Sequence, residues 1–150
     1  MSAGNLFFLD SNVLIYGFDS RDMLKQQSAR DWVSAVWGAG TGRLSWQVLH
    51  EFCVNATKAG VPAPIAREAV RAFVEWGPVD SNALLVARAW HWMDSAHIGY
   101  WDALIVAAAE ISDCRYVLSE DLQDRRVFES TRVVNPFRAQ PAEFGLARPA

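Results

Sequence analysis

Apolar positions along this chain fall into two patterns that alternate. Leu6 to Leu9 is an unbroken apolar run closed by Asp10, the mark of a strand buried on both faces. Ser11 and Asn12 then supply caps for a short helix over Val13 to Tyr16. Ala29, Trp32, Val33 and Val36 recur three or four apart, which predicts a helix from Leu24 to Trp37, ended by the glycines of Gly38 to Gly42. Arg43 to Ser45 reads as a second short strand and Gln47 to Lys58 as a helix. Gly60-Val-Pro62 breaks that helix, and Pro64 suits the first turn of another running to about Trp76. After Gly77-Pro78, Val79 reads as a brief strand, and Asp80 or Ser81 caps a helix to about Met93. Trp101 to Ile111 is a further helix, Arg115 to Leu118 a strand, Glu120 to Arg126 a loop or short helix, and Thr131 to Val134 the last strand. From Asn135 onward Pro, Ala and Arg dominate, which predicts a docked segment fraying into a tail. The expected organisation is one domain over 1–137 and a tail over 138–150.

Strands alternating with helices predict an α/β sandwich with a central, mostly parallel sheet. Ligands of such sheets bind outside the carboxyl ends of the strands. Asp10 and the Glu120-Asp121 pair fall at such ends, so charge placement and fold class point to one place.

Composition sharpens this picture. Hydrophobic residues make up 51% of the 150, with seven Trp and eight Phe, enough for one sizeable core. Ala103 to Ala109, the longest apolar stretch, is stopped by Glu110, well short of the ~18 residues of a membrane span. The opening Met-Ser-Ala-Gly-Asn lacks the basic start of a signal peptide, so the cytoplasm is expected. There Cys53 and Cys114, both in apolar surroundings, are expected as buried free thiols, and Asn55-Ala56-Thr57 is not a glycosylation site. The net charge of −3 argues against a coat protein for nucleic acid, yet leaves room for a nuclease whose acidic site is neutralised by cations. The helix from Ala83 to Met93 is apolar around more than one face, which calls for deep burial or a covering partner.

Four carboxylates stand out. Asp10 closes the first strand, Glu51 lies in the helix after the second, Asp102 opens a helix and Asp121 follows a strand. Hydrolysis of a phosphodiester needs an activated water and compensation of charge on the leaving oxygen; carboxylates holding Mg²⁺ or Mn²⁺ supply both. Each acid alone also has an ordinary reading: a cap at Asp10 or Asp121, a dipole contact at Asp102, a solvated helix residue at Glu51. Glu120 and Asp124 flank the fourth acid, either supporting the metal ligands from behind or forming a solvated turn with Arg125 and Arg126.

Other chemistries fit less well. His50-Glu51 begins like a zinc-protease motif, but Val54 stands where the second His belongs, and three His in all cannot build a cage. Asp10-Ser11-Asn12 resembles an aspartyl-phosphatase opening, but Asn12 cannot serve as its acid/base. Gly38 to Gly42 lacks the Lys-Ser/Thr ending of a phosphate loop.

Five segments resemble the PIN-domain family in the family's order: Phe8-Leu-Asp-Ser-Asn-Val-Leu-Ile-Tyr16, Gln47-Val-Leu-His-Glu-Phe52, Tyr100-Trp-Asp-Ala-Leu-Ile-Val-Ala-Ala-Ala109, Val117-Leu-Ser-Glu-Asp-Leu-Gln-Asp124 and Val133-Val-Asn-Pro-Phe137. The resemblance covers Asn5 to Phe137, and so compact a chain looks like the VapC-type toxins of bacterial toxin–antitoxin pairs. The resemblance implies a three-layer α/β/α fold and a Mg²⁺- or Mn²⁺-dependent endoribonuclease. Asp10, Glu51, Asp102 and Asp121 match its four acidic positions, Asn12 a polar position lining the pocket, and Ser119 a frequent Ser or Thr near the fourth acid. It further implies an RNA substrate, a homodimer and a small antitoxin whose basic segment enters the pocket. Gly99 stands where relatives often carry Ser, removing a hydroxyl. Arg125 stands where similar sequences tend to have Gly; it is either a solvated surface residue or one that reaches toward a phosphate. Two other readings stay open: a non-catalytic PIN-like module that binds RNA or protein, and phospho-acceptor chemistry at Asp10.

Overall fold

The structure is a computed structural model that describes residues 4–147. Strand β1 (Phe7–Leu9) leads into α1 (Ser11–Tyr16) and α2 (Met23–Ala39). Then come β2 (Gly42–Arg43), α3 (Trp46–Lys58), α4 (Ala63–Val74), α5 (Ala83–Ala96) and α6 (Tyr100–Ile111). Strands β3 (Tyr116–Leu118), β4 (Val127–Phe128) and β5 (Thr131–Val134) complete the sheet, and a single 3-10 turn covers Pro141–Phe144. The strand order is β2-β1-β3-β5-β4, with every pairing parallel except the edge pair of β4 and β5. Helices flank this central, mostly parallel sheet in the expected three-layer α/β/α arrangement.

The core follows from the alternation of strand side chains. Phe7 stacks on Tyr116 at 5.1 Å between ring centroids and meets Trp32 of α2 and Phe144 at 6.0 and 6.2 Å. Ala103 to Ala109 of α6 are buried without exception, and the four Ala among them let this helix lie close to the sheet and to α5. Arg88 of α5 forks onto Glu110 of α6, which also accepts from the Trp92 indole, so the two helices are tied by a partly buried ion pair.

Several details differ from expectation. Asp10, rather than Ser11 or Asn12, caps α1, and Asn82 caps α5 by accepting from the Leu85 backbone, where Asp80 or Ser81 was expected. Asp80 is displaced because Val79 pairs with Ser45 as an isolated bridge and the chain stays extended past it. The edge strand β4 was not expected, since two residues carry no readable period. Packing continues past Phe137: Phe144 lies against Tyr116 at 5.0 Å and Leu146 is buried, while 148–150 lie outside the described residues. Cys114 is buried as expected, whereas Cys53 is exposed, because α3 turns its other face to the core. Arg125 takes φ 67, the left-handed conformation a Gly would adopt freely, and its amide donates to Val133 across the loop at 2.9 Å. Among the described residues, no helix is long and apolar enough to cross a membrane.

One glycine is fixed by contact. A Cβ on Gly42 would lie 2.4 Å from the Trp76 ring, which itself stacks on Trp37 at 5.4 Å. Gly42→Val is expected to lower stability by about 1–3 kcal/mol, read as a lower urea midpoint at unchanged slope.

Candidate active site

Parallel register brings the first two residues of the site together. Leu9 pairs with Leu118, so the next residues on each strand, Asp10 and Ser119, emerge side by side at the carboxyl edge of the sheet. The strand order reverses there, with β2 on one side of β1 and β3 on the other, which opens the crevice expected of such a switch. Ser119 is fully buried and its Oγ donates to Asp10 Oδ2 at 2.8 Å. The same Oγ accepts from the amides of Asp121 and Leu122, both at 3.2 Å, and so shapes the turn that presents Asp121.

Asp10 is 5% exposed. Its Oδ1 accepts from the Ser11 amide at 2.8 Å, and Asn12 Nδ2 donates to its Oδ2 at 3.2 Å. Asn12 also donates to Asp121 Oδ2 at 3.2 Å, while its own Oδ1 accepts from the Glu120 amide at 3.1 Å, which fixes the amide's orientation. Asn12 thus stands between the first and fourth acids with its donor end facing both.

Glu51 joins from α3. Ser11 Oγ donates to its Oε2 at 2.9 Å, and Gln47 Nε2, one turn earlier on the same helix, donates to its Oε1 at 2.7 Å. Gln47 Nε2 also reaches the Trp101 carbonyl at 3.3 Å, tying α3 to the first turn of α6, where Asp102 sits. Ser11 and Gln47 were not singled out as site residues from the sequence. The four-residue spacing of Gln47 and Glu51 on one helix face was the available signal.

Charge in this pocket is uncompensated. Burial pushes the Asp10 carboxyl up to about 6; hydrogen bonds from Ser119 and Ser11 oppose the rise, and the charges of Glu51 and Asp121 add to it. Asp102 keeps exposed surface, yet the protein crowding its pocket side raises its pKa, and the charges of Asp121 and Glu51 raise it further. Among the described residues, no Lys or Arg forms a salt bridge with any of these four acids.

The two flanking acids are occupied elsewhere. Glu120 accepts from Tyr16 Oη at 3.0 Å and is paired with Lys25, whose ammonium lies over the Tyr16 and Phe137 rings at 4.8 and 5.2 Å. Asp124 Oδ1 accepts from the Asn135 amide at 2.8 Å, pinning the loop to the end of β5. Neither makes a hydrogen bond to the four acids.

All of the donors offered at this edge are oxygens, the set preferred by hard divalent cations, and a buried carboxylate without a cationic neighbour is a chemical fit for one. The side chains as they stand do not yet enclose an ion: among the described residues, no three His, Cys, Asp or Glu side chains converge closely enough.

The PIN domain family model matches residues 7–129, taking in all four acids and both site serines. No curated protein sequence matches the chain at a significant level. Among solved structures, the fold is similar to that of a chain in a toxin-antitoxin complex from Klebsiella pneumoniae, with a TM-score of 0.62 and 17% identity over 86% of this chain and 96% of that one. At that identity the likeness speaks to the fold, while the family follows from the sequence match: this chain belongs to the PIN-domain family.

Proposed function

We propose that this chain is an endoribonuclease that cuts RNA phosphodiester bonds with Mg²⁺ or Mn²⁺ held by Asp10, Asp102 and Asp121, and with Glu51 holding the cation or orienting the attacking water. The observation that carries this reading is four carboxylates at the carboxyl edge of a parallel sheet, with Glu51 and Asp121 near enough to raise the pKa of Asp10 and of Asp102, and none of them paired with a Lys or Arg among the described residues. A bound cation would compensate charge on the reacting phosphate and lower the pKa of a water. The chain's own residues have separable tasks. Ser119 and the Ser11 amide hold the Asp10 carboxylate in one orientation. Gln47 and the Ser11 hydroxyl do the same for Glu51. Asn12 keeps an amide donor between Asp10 and Asp121. Lys25 neutralises Glu120, so that acid does not add to the charge of the pocket.

The fold likeness to a chain in a toxin-antitoxin complex supports a further assignment. The protein is the toxin of a type II pair, acts in the cytoplasm as a homodimer, and is held by a small antitoxin with a basic segment suited to the acidic pocket. Leu84 and Trp90 of α5, 67% and 57% exposed, suit a covered protein surface. A second reading, a non-catalytic PIN-like binding module, is favoured by the open spacing of the acids.

Purified chain given bacterial RNA and a chromogenic phosphate ester, each with Mg²⁺ or Mn²⁺, separates these readings. Cut RNA and intact ester are expected. Ester turnover with intact RNA would assign phospho-acceptor chemistry to Asp10, and RNA binding without turnover would assign the binding module.

Protons compete for the same oxygens. Because Asp10 titrates at about 6 in the folded chain, apparent Mn²⁺ affinity is expected to hold above pH 7 and to fall about tenfold per pH unit below 6, measured by calorimetry.

A further inference from the structure

Beside the acids lies a cavity of different chemistry. It occupies about 700 Å³ between α3 and α6, with Trp46, His50 and Val54 on one wall, Trp101 on the other and Leu104 beneath. Trp101 is 67% and Val54 55% exposed, so large apolar surface faces solvent here. The Trp46 and His50 rings lie 6.2 Å apart and tilted by only 34°, which offers a broad aromatic surface. Asn55 and Ser81 bring an amide and a hydroxyl to the lining.

Three features decide what such a cavity holds. Its volume is that of a site for one small-molecule-sized group. Among the described residues no Lys or Arg lines it and Glu51 does, so a phosphate is repelled and an uncharged group is preferred. It is also continuous with the acidic site, because Glu51 and Gln47 belong to both, and Trp101 directly precedes Asp102 in the chain. An occupant must therefore be flat and apolar on its faces, polar at its rim, and attached to a phosphate lying at the acids. A nucleobase meets all of these conditions; a side chain from a protein partner carries no phosphate to place at the acids.

We propose that this groove is a base-binding subsite that takes one unstacked nucleobase of a single-stranded RNA, from the nucleotide adjoining the scissile phosphate, against the Trp101 ring. The proposal rests on the nuclease reading for the position of that phosphate. Stacking on an exposed aromatic tolerates any base and excludes a duplex, whose bases are already stacked. The chain is thereby selective for loops and unpaired stretches.

The test uses the full chain carrying Asp121→Asn, with Mg²⁺, and an eight-nucleotide single-stranded RNA followed by fluorescence anisotropy. A series of such RNAs, each lacking the base at one position, is compared with the intact strand. The expected result is that one abasic position weakens binding about tenfold, that Trp101→Ala weakens binding of the intact strand by the same factor and abolishes the abasic effect, and that Trp101→Phe retains most of the affinity. Equal affinity across the abasic series, unaltered binding by Trp101→Ala, or absence of binding would overturn the subsite. So would loss of self-association in Trp101→Ala with RNA binding unchanged, which would assign the groove to a second copy of the chain. Cleavage of the same strand by the parent chain, which keeps Asp121, is scored separately, with and without Trp101→Ala. Abasic-sensitive binding without cleavage would sink the nuclease reading and keep the subsite, while cleavage that ignores Trp101 would do the reverse.

Discussion

Asp102→Asn is expected to reduce the rate of RNA cleavage about 10³-fold while leaving the fold and thermal midpoint nearly unchanged. Asp102 sits in the first turn of α6 with exposed surface, and no hydrogen bond of the fold depends on its carboxylate among the described residues. The substitution keeps the shape and removes a charge that Glu51 and Asp121 currently oppose. Removing a partner that merely orients a ligand costs about 10- to 100-fold, so losing a ligand itself costs more. A variant that cuts as fast as the parent would remove Asp102 from the chemistry.

The second large effect runs the other way, toward stability. Asp10 binds its proton at about 6 when folded against a usual 3.8, so the folded state is the better proton binder between those values. Its contribution is fully favourable below pH 3.8 and is lost as pH rises through about 6. The difference of about two pH units corresponds to roughly 3 kcal/mol at neutral pH, carried by a residue that is 5% exposed. Asp10→Asn is therefore expected to stabilise the metal-free chain by about 1–3 kcal/mol at pH 7.5, and to flatten the pH dependence between 4 and 6. The lower end of that range applies because an Asn amide turned toward Ser119 meets an oxygen already accepting from two backbone amides. The same variant should lose cleavage and any stabilisation by added Mn²⁺. Chemical unfolding in chelator and in Mn²⁺ reads both effects, and a destabilised variant in chelator would show that Asp10 serves the fold.

These two residues explain what was legible in the sequence. β1 and the Asp10 that closes it stand out because a buried parallel strand is uniformly apolar and ends abruptly at a charge. The long helix α2 was legible from its period, and the central, mostly parallel sheet followed from the alternation of helices with strands. Asp10, Asp102 and Asp121 were marked by their positions at element ends and Glu51 by its helix, but the approach of Asp10 to the Asp121 turn needed the parallel register of β1 and β3, which no local pattern encodes. Ser11 illustrates the limit. Read as a cap, it instead sends its hydroxyl to Glu51, a contact between distant positions in the chain. Asp124, open in the sequence between a support for the ligands and part of a turn, accepts from the Asn135 amide and so serves the loop. β4 and the Pro141–Phe144 turn were missed because elements of two to four residues are held by neighbours rather than by their own pattern.

Metal-dependent cutting of RNA is the central claim, and add-back of cation tests it most directly. Purified chain is stripped with chelator, mixed with total bacterial RNA, and then given Mg²⁺ or Mn²⁺. Discrete fragments that appear only after the cation is restored, and not with Asp102→Asn, are the expected result. RNA left intact with the cation restored, or fragments formed equally in chelator, would contradict the account.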